Sequence, residues 1–249
     1  MPRLSAIIIT KDEAANIGPC LDSLTFCDER IVVDGGSTDD TVAIAREKGA
    51  RVEHHAWAGF GAQKNIALAL ASGDWVLSID ADERVSPALA AAIQAALAAP
   101  AAEAYEIPRL SMFCGREMRH SAWYPDYVLR LFRRDAAKFT DDLVHERVIV
   151  EGRVVRLTEP LNHTPVERIE QALARMDRYS SLAAEMMVAK NKRVYFCSGI
   201  FHGLWAFFRL YVLRAGFLDG RQGFLLAVAT AEGSYYKYMK AWLRSHGHG

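Results

Sequence analysis

Four short apolar runs, each ending in a polar cluster and followed by a helical pattern, restrict this chain more than any other feature. Leu4–Thr10 (LSAIIIT), Arg30–Asp34 (RIVVD), Arg51–His54 and Trp75–Ile79 (WVLSI) have strand length and β-branched or aromatic content. Asp12–Leu24 follows the first run with helical spacing, placing Ile17, Leu21 and Leu24 on one face. Asp39–Lys48 follows the second, with Val42 and Ala45 inward and Ser37 or Thr38 as its expected cap. Gly61–Ala71 follows the third, and Pro87 opens an Ala-rich helix reaching Ala99. Such alternation over short connections predicts an α/β fold with a mostly parallel sheet covered by helices on both faces. Ligands of such sheets bind beyond the carboxyl ends of the strands. The polar clusters Thr10-Lys11, Asp34-Gly35-Gly36-Ser37 and Asp80-Ala81-Asp82 fall there.

From Ala104 the pattern turns irregular. Tyr105–Pro108, Tyr127–Phe132 and Arg147–Val150 read as strands, and Val166–Lys190 as a long helix. Ile200–Phe217 is apolar and aromatic, Gly216–Gly220 reads as a helix stop, and Tyr235–Arg244 is aromatic and basic. We therefore expect an α/β domain over 1–165 and a helical, basic-aromatic extension over 166–249. The formal net charge is 0, which argues against nucleic acid as the main partner. That average hides a split: residues 1–189 carry 21 Lys+Arg against 28 Asp+Glu, while 190–249 carry 9 against 2. A basic, aromatic tail on an acidic half points to surface binding by the tail. Cys20, Cys27, Cys114 and Cys197 form no CxxC pair, so scattered reduced thiols in a cytoplasmic protein are expected. Met1 runs almost directly into the first strand, which predicts no signal peptide.

The chemistry begins at Asp80-x-Asp82. Side chains two apart on an extended chain share a face, so both carboxylates can approach one hard cation and the diphosphate oxygens it binds. Alone, the spacing is common in loops; here it follows a buried strand. In Asp34-Gly35-Gly36-Ser37-Thr38-Asp39 a strand-end carboxylate can accept hydrogen bonds from a base or ribose, and the glycines permit close approach. A tight strand–helix turn accounts for the same residues.

Taken in order, Ile7-Ile8-Ile9-Thr10-Lys11-Asp12-Glu13, Ile31-Val32-Val33-Asp34-Gly35-Gly36-Ser37-Thr38-Asp39, Gln63-Lys64-Asn65 and Gly73-Asp74-Trp75-Val76-Leu77-Ser78-Ile79-Asp80-Ala81-Asp82-Glu83 resemble a family 2 glycosyltransferase. The resemblance implies the GT-A fold, a Rossmann-like nucleotide-binding half joined to an acceptor half. It implies that Thr10, Lys11 and Glu13 line the nucleotide pocket. Asp34 would hold the base or ribose with Ser37 nearby, and Lys64 would lie close to the diphosphate. An exposed helical lysine is the other reading of Lys64. Asp80 and Asp82 would face the ribose and a Mg²⁺ or Mn²⁺ ion.

In the second half, Trp123-Tyr124-Pro125-Asp126, Arg130-Leu131-Phe132-Arg133-Arg134, Val144-His145-Glu146 and Leu161-Asn162-His163-Thr164 are similar to bacterial β-1,4-glucosyltransferases of the lipopolysaccharide core. The family's usual Glu-Asp pair has no clear counterpart, so the base is open between Glu146 and Asp126. Glu146 reads equally as a surface carboxylate beside Arg147 or Arg153, and Asp126 as a turn residue after Pro125. His163 is a candidate metal or phosphate ligand or a structural histidine; His145 is a weaker candidate. Arg130, Arg133 and Arg134 read either as contacts to a phosphorylated acceptor or as a solvated strand face.

In the tail, Phe201, Leu204, Trp205, Phe208, Tyr211, Val212 and Ala215 recur at helical spacing, interrupted by Arg209 and Arg214. An interfacial helix on the cytoplasmic face of the inner membrane fits, as does a helical subdomain that packs on the enzyme or forms a dimer. The expected reaction is inverting transfer of a sugar, glucose by resemblance, from a UDP-sugar to a hydroxyl of a lipopolysaccharide-core or lipid-linked acceptor. Two rivals stay open: a nucleotidyltransferase on a similar sheet, and a non-catalytic nucleotide-sugar-binding scaffold.

Overall fold

Every residue of Leu4–Thr10 is buried, which requires a strand with neighbours on both edges and cover on both faces. The computed structural model, which describes residues 2–140 and 147–246, makes this run the central strand β1. It is followed by α1 (Ala14–Asp22), β2 (Glu29–Asp34), α2 (Thr41–Glu47), β3 (Arg51–His54), α3 (Phe60–Leu70), β4 (Trp75–Asp80), β5 (Glu83–Val85) and α4 (Pro87–Ala98). Then come β6 (Ala104–Phe113), β7 (Arg116–Glu117), β8 (Asp126–Arg133), β9 (Ala137–Phe139), β10 (Val148–Val150), β11 (Val154–Arg156) and β12 (Leu161–Val166). Three helices close the chain: α5 (Ile169–Ala189), α6 (Phe196–Phe208) and α7 (Gly220–Ser245).

The main sheet has the order β3-β2-β1-β4-β8-β6-β12-β5. Its first four strands are mutually parallel, whereas β8 runs antiparallel to both β4 and β6. A parallel Rossmann-like half continued by antiparallel strands is the α/β GT-A arrangement expected from the sequence. Alternate residues feed two cores because a strand's side chains alternate faces. Ala6, Ile8, Val32, Leu77 and Ile79 meet α1 through Ile17 and Leu21 and α4 through Leu89 and Ile93. Ile7, Ile9, Ile31, Val33 and Val76 meet α3 through Ala67 and Leu68. The chain leaves β1 for β2 on one side and reaches β4 on the other, so the topological switch lies at the carboxyl end of β1.

By contact density the chain divides into two units, one of Met1–Arg109 with Asp126–His163 and one of Leu110–Pro125 with Thr164–Gly249. In the second unit Phe113, Met118, Val166, Leu210, Leu226 and Ala227 form one core, and Ala184, Val194, Tyr238, Met239 and Ala241 another. The buried Asp219 carboxylate accepts from the backbone amides of Arg119 and His120 and from the Ser121 hydroxyl at 3.0–3.1 Å, fixing that loop.

Three local expectations change. Neither Ser37 nor Thr38 caps α2, whose flanking residue is Asp40 without a side-chain cap. The Ser37 hydroxyl is taken up by Asp34 instead. The long helix starts at Ile169 rather than Val166, because Leu161–Val166 forms β12. Ile200–Phe217 is no single helix: α6 ends at Phe208, Arg209–Leu213 is a π-helical turn, and Ala215 adopts a left-handed φ of 53°. A side chain at Gly216 would stand 2.9 Å from the Leu210 carbonyl oxygen, so the chain turns where only glycine fits.

Candidate active site

Strand register assembles the site. In the β1–β2 pair Thr10 lies opposite Asp34, and in the β1–β4 pair Ile9 lies opposite Asp80. Three clusters separated by up to 70 residues in sequence thus end side by side at one edge of the sheet. β12 then pairs antiparallel with β5, placing His163 opposite Glu83 and its Nε2 3.3 Å from Asp82 Oδ2.

The loops after β1 and β2 are laced together. The Asp12 amide donates to Ser37 Oγ at 2.9 Å, the Thr38 amide to Asp12 Oδ1 at 2.7 Å and the Glu13 amide to Thr41 Oγ1 at 2.8 Å. Glu13 accepts from Asn16 Nδ2 at 2.7 Å, and Lys11 is exposed. The buried Asp34 accepts from the amides of Gly36 and Ser37 at 3.0–3.2 Å and from the Ser37 hydroxyl, with His54 Nδ1 at 3.3 Å. Burial pushes its carboxyl up, but the Ser37 hydroxyl, the two amides and His54 outweigh burial and hold it below the usual carboxylate range. Gly35 is needed here: a Cβ would stand 2.7 Å from the Trp57 ring and 3.4 Å from the Thr10 carbonyl oxygen. Trp57 and Phe60, both partly exposed, meet edge to face at 4.9 Å and give this pocket an apolar wall. Thr10 Oγ1 and Gln63 Oε1 are buried without a hydrogen-bond partner among the described residues.

Asp34→Asn should lower stability at pH 7 by about 1–3 kcal/mol, the usual worth of hydrogen bonds to a buried charge. A depressed folded pKa stabilises fully above the unfolded value, about 3.9, and the benefit is lost as pH falls through the folded value. The gap between variant and wild type should therefore narrow below about pH 4. Urea midpoints at pH 7 and pH 3 check this; a gap that stays constant would contradict it.

The residues Gln63, Lys64 and Asn65 have three separate tasks. Gln63 Nε2 donates to the His55 carbonyl at 2.9 Å. Asn65 exchanges two 2.9 Å hydrogen bonds with the Phe139 backbone and pins β9. Lys64 is buried, not an exposed helical lysine, and its Nζ lies 3.1 Å from Asp80 Oδ1. The other Asp80 oxygen accepts from Arg130 Nη2, which also donates to Glu83 Oε1 at 2.6 Å. Glu83 Oε2 in turn accepts from the Asp80 amide at 3.0 Å. Burial pushes Asp80 up, yet Arg130 and Lys64 overcome it and hold the carboxyl far below its usual range. In Glu83 burial wins: the carboxyl is raised, with Arg130 only partly offsetting burial and the nearby Asp80 charge. Burial also raises Asp82, but the His163 hydrogen bond and charge bring it below the usual range.

Arg109 extends the chain of charges. Its Nη1 lies 3.6 Å from Glu83 Oε1, and its Nη2 donates to Asp126 Oδ2 at 2.6 Å. Asp126 thus joins the site through Arg109. Glu146 and His145 lie outside the described residues. Arg133 pairs with Asp135 at the surface and Arg134 donates to the Gly73 carbonyl, so only Arg130 of the three arginines belongs to the site. Arg130 is buried between Asp80 and Glu83 rather than on a solvated strand face, and the sequence reading gave Glu83 and Arg109 no role of their own. The available signal was one arginine inside the apolar strand run Val128–Phe132, since a charge buried there requires counter-charges.

A divalent ion suits this edge in part. Among the described residues no group of three His, Cys, Asp or Glu side chains forms a ready cage. Asp82 and His163 supply an adjacent oxygen and nitrogen, and Mg²⁺-type sites commonly take one or two protein carboxylates, with substrate phosphates and water completing the shell.

Residues 5–150 match the family described as "Glycosyl transferase family 2". An uncharacterized glycosyltransferase of Rickettsia felis is 32% identical over 253 residues, spanning 96% of this chain and 89% of its own. The lipopolysaccharide core biosynthesis glycosyltransferase LpsC of Rhizobium meliloti is 33% identical over 252 residues, 96% of this chain and 90% of its own. A crystal structure of Mycobacterium tuberculosis glucosyl-3-phosphoglycerate synthase with Mn²⁺, UDP and glucosyl-3-phosphoglycerate is 29% identical over 45% of this chain and 44% of that one, with a TM-score of 0.38.

Proposed function

Because this chain belongs to glycosyltransferase family 2, we propose that it is an inverting enzyme that moves glucose from UDP-glucose to a hydroxyl of a lipopolysaccharide-core or lipid-linked glycan. Its place of action is the cytoplasmic face of the inner membrane. The observation that carries the donor site is the register that sets Thr10, Asp34 and Asp80 side by side, with Asp82 and His163 alongside. The similarity to LpsC along nearly the whole chain supports the lipopolysaccharide acceptor.

The donor pocket has a polar and an apolar side. Asp34 offers a carboxylate to ribose or base at the end of β2. Trp57 supplies a flat apolar wall. Asp82 and His163 would hold a Mg²⁺ or Mn²⁺ ion, which would supply Lewis-acid stabilisation of the departing diphosphate. Lys64 and Arg130 fix the Asp80 carboxylate, so this side chain is oriented before substrate arrives. A carboxylate, Asp126 or Glu146, takes the acceptor hydroxyl proton as that oxygen bonds to the sugar's anomeric carbon and the bond to the diphosphate oxygen breaks. Attack from the face opposite the leaving group inverts the anomeric centre.

The direct test is a thermal-shift panel of UDP, GDP, dTDP and CMP with and without Mn²⁺, followed by transfer from radiolabelled UDP-glucose to deacylated core acceptor. Ligand at 100 times its Kd should add about 2.7 kcal/mol to native stability. A shift with UDP that needs Mn²⁺ supports the reading. Absence of any nucleotide response, or an equal response with every nucleotide and no metal dependence, would sink it.

A further inference from the structure

The helical unit presents an apolar face that its own packing does not use. Gly199 and Gly203 lie on the side of α6 that meets α7. A Cβ at Gly199 would stand 2.7 Å from Met239 Cε, and one at Gly203 would stand 3.3 Å from the Ala231 carbonyl oxygen. Close approach through small residues leaves the bulky side of α6 outward. Phe201 is 69% exposed and Leu204 67%, and Trp205, Phe208, Leu213 and Phe217 are exposed as well. Next to them Tyr211, Phe217 and Phe224 line an open notch of about 580 Å³ with Arg221 at its margin. Soluble surfaces rarely leave so many large apolar side chains together without a partner.

The charges decide which partner fits. Arg209, Arg214 and Arg221 are exposed among these apolar groups. Between Lys190 and Ala231 the sole acidic residue is Asp219. It is buried and its oxygens are held by the Arg119 and His120 amides and the Ser121 hydroxyl. A second copy docking through the same face would press arginine against arginine, and the nearest exposed acid of these helices, Glu232, lies about three turns beyond Arg221 along α7. An anionic headgroup layer over hydrocarbon answers both features. By length and composition Phe196–Leu213, 18 residues with mean hydropathy 1.3, could also cross a bilayer. Its packing through Gly199 and Gly203 against α7, which carries Arg221, Glu232, Lys237 and Lys240, argues for lying in the plane instead, since a spanning α6 would draw those charges into hydrocarbon.

We propose that α6, the π-turn and the start of α7 form an in-plane anchor for an anionic bilayer surface, with the aromatics in the acyl boundary and Arg209, Arg214 and Arg221 at the phosphate level. This gives a molecular surface to the membrane location proposed above and stands independently of the sugar chemistry.

The test is vesicle flotation of the full-length protein without nucleotide. Vesicles of phosphatidylglycerol and phosphatidylethanolamine are compared with phosphatidylcholine alone. Wild type should bind the anionic vesicles about 10-fold or more tightly than the neutral ones, and less tightly as salt rises. Leu204→Glu combined with Trp205→Glu should abolish binding, and Arg209→Glu combined with Arg214→Glu should remove the anionic preference. Both sets lie on exposed positions, and unchanged circular dichroism and nucleotide thermal shift would show that the fold and the donor site persist. Failure of wild type to float, or flotation unaffected by the two glutamates, would overturn the proposal. So would light scattering that shows a dimer broken by those glutamates without vesicle binding, since the face would then be a self-interface.

Discussion

Arg130→Leu is expected to destabilise the protein by about 3–5 kcal/mol at pH 7, the usual cost of removing one partner from a buried charge cluster. Arg130 is 6% exposed and is the shared counter-charge of Asp80 and Glu83. Leucine fills much of the volume, so the loss comes from two carboxylates left facing each other rather than from a cavity. Lys64 still neutralises Asp80, but Glu83 is then left with Arg109 at 3.6 Å. The pH dependence carries the diagnosis. Asp80, depressed in the fold, stabilises the native state above the unfolded carboxylate pKa and loses that effect as pH falls through its folded value. Removing Arg130 removes the larger share of this contribution and leaves that of Lys64, so the difference between variant and wild type should shrink at low pH. Glu83 has the opposite sign: its raised pKa favours the fold at low pH, a benefit lost as pH rises through the folded value. Combining Arg130→Leu with Glu83→Leu should recover part of the loss, because no unpaired carboxylate then remains at that position. Denaturant titrations of the single and double variants at pH 7, about pH 4 and about pH 2.5 check all three points, the lowest pH being the one that reads Asp80. A single variant within about 1 kcal/mol of wild type would show that the cluster does not support the fold as argued.

Asp82→Asn should lower sugar transfer by about 100- to 1000-fold with little change in stability, the scale seen when one group that stabilises developing charge is removed. The two aspartates differ in a way that makes this informative. Asp80 is tied to Lys64 and Arg130, so Asp80→Asn should depress activity and stability together. Asp82 has His163 beside it and stands outside the arginine cluster, so its loss should act on chemistry and metal binding with the fold intact. Steady-state transfer assays across Mn²⁺ concentrations, with melting curves on the same samples, separate the cases. Transfer at the wild-type rate by Asp82→Asn would remove Asp82 from the reaction.

Much of the site was legible because it stands where strands end. Apolar runs reveal buried strands, and in a parallel sheet the residues after each run must gather at one edge, so Thr10, Asp34 and Asp80 could be grouped without coordinates. Arg130, Glu83 and Arg109 were not legible in the same way. They come from β8, β5 and β6, whose pairing is antiparallel and irregular, and no local pattern states which strand lies beside which. Ser37 shows the same limit on a smaller scale: the residue suited a helix cap, but the Asp34 carboxylate lay nearer to its hydroxyl.

The sequence by itself determined the class of fold, the order of the strand-end motifs and the basic, apolar character of the tail. These follow from periodicity, composition and residue order, which are local properties of the chain. Tertiary structure alone decided that Lys64 is buried against Asp80, that Arg130 bridges Asp80 to Glu83, and that His163 meets Asp82 across the β5–β12 pair. It also decided which side of α6 is spent on α7 and which is left outward. Each of these depends on contacts between segments far apart in sequence. Such contacts are selected by the total burial and charge balance of the folded molecule, and no window of sequence contains that balance.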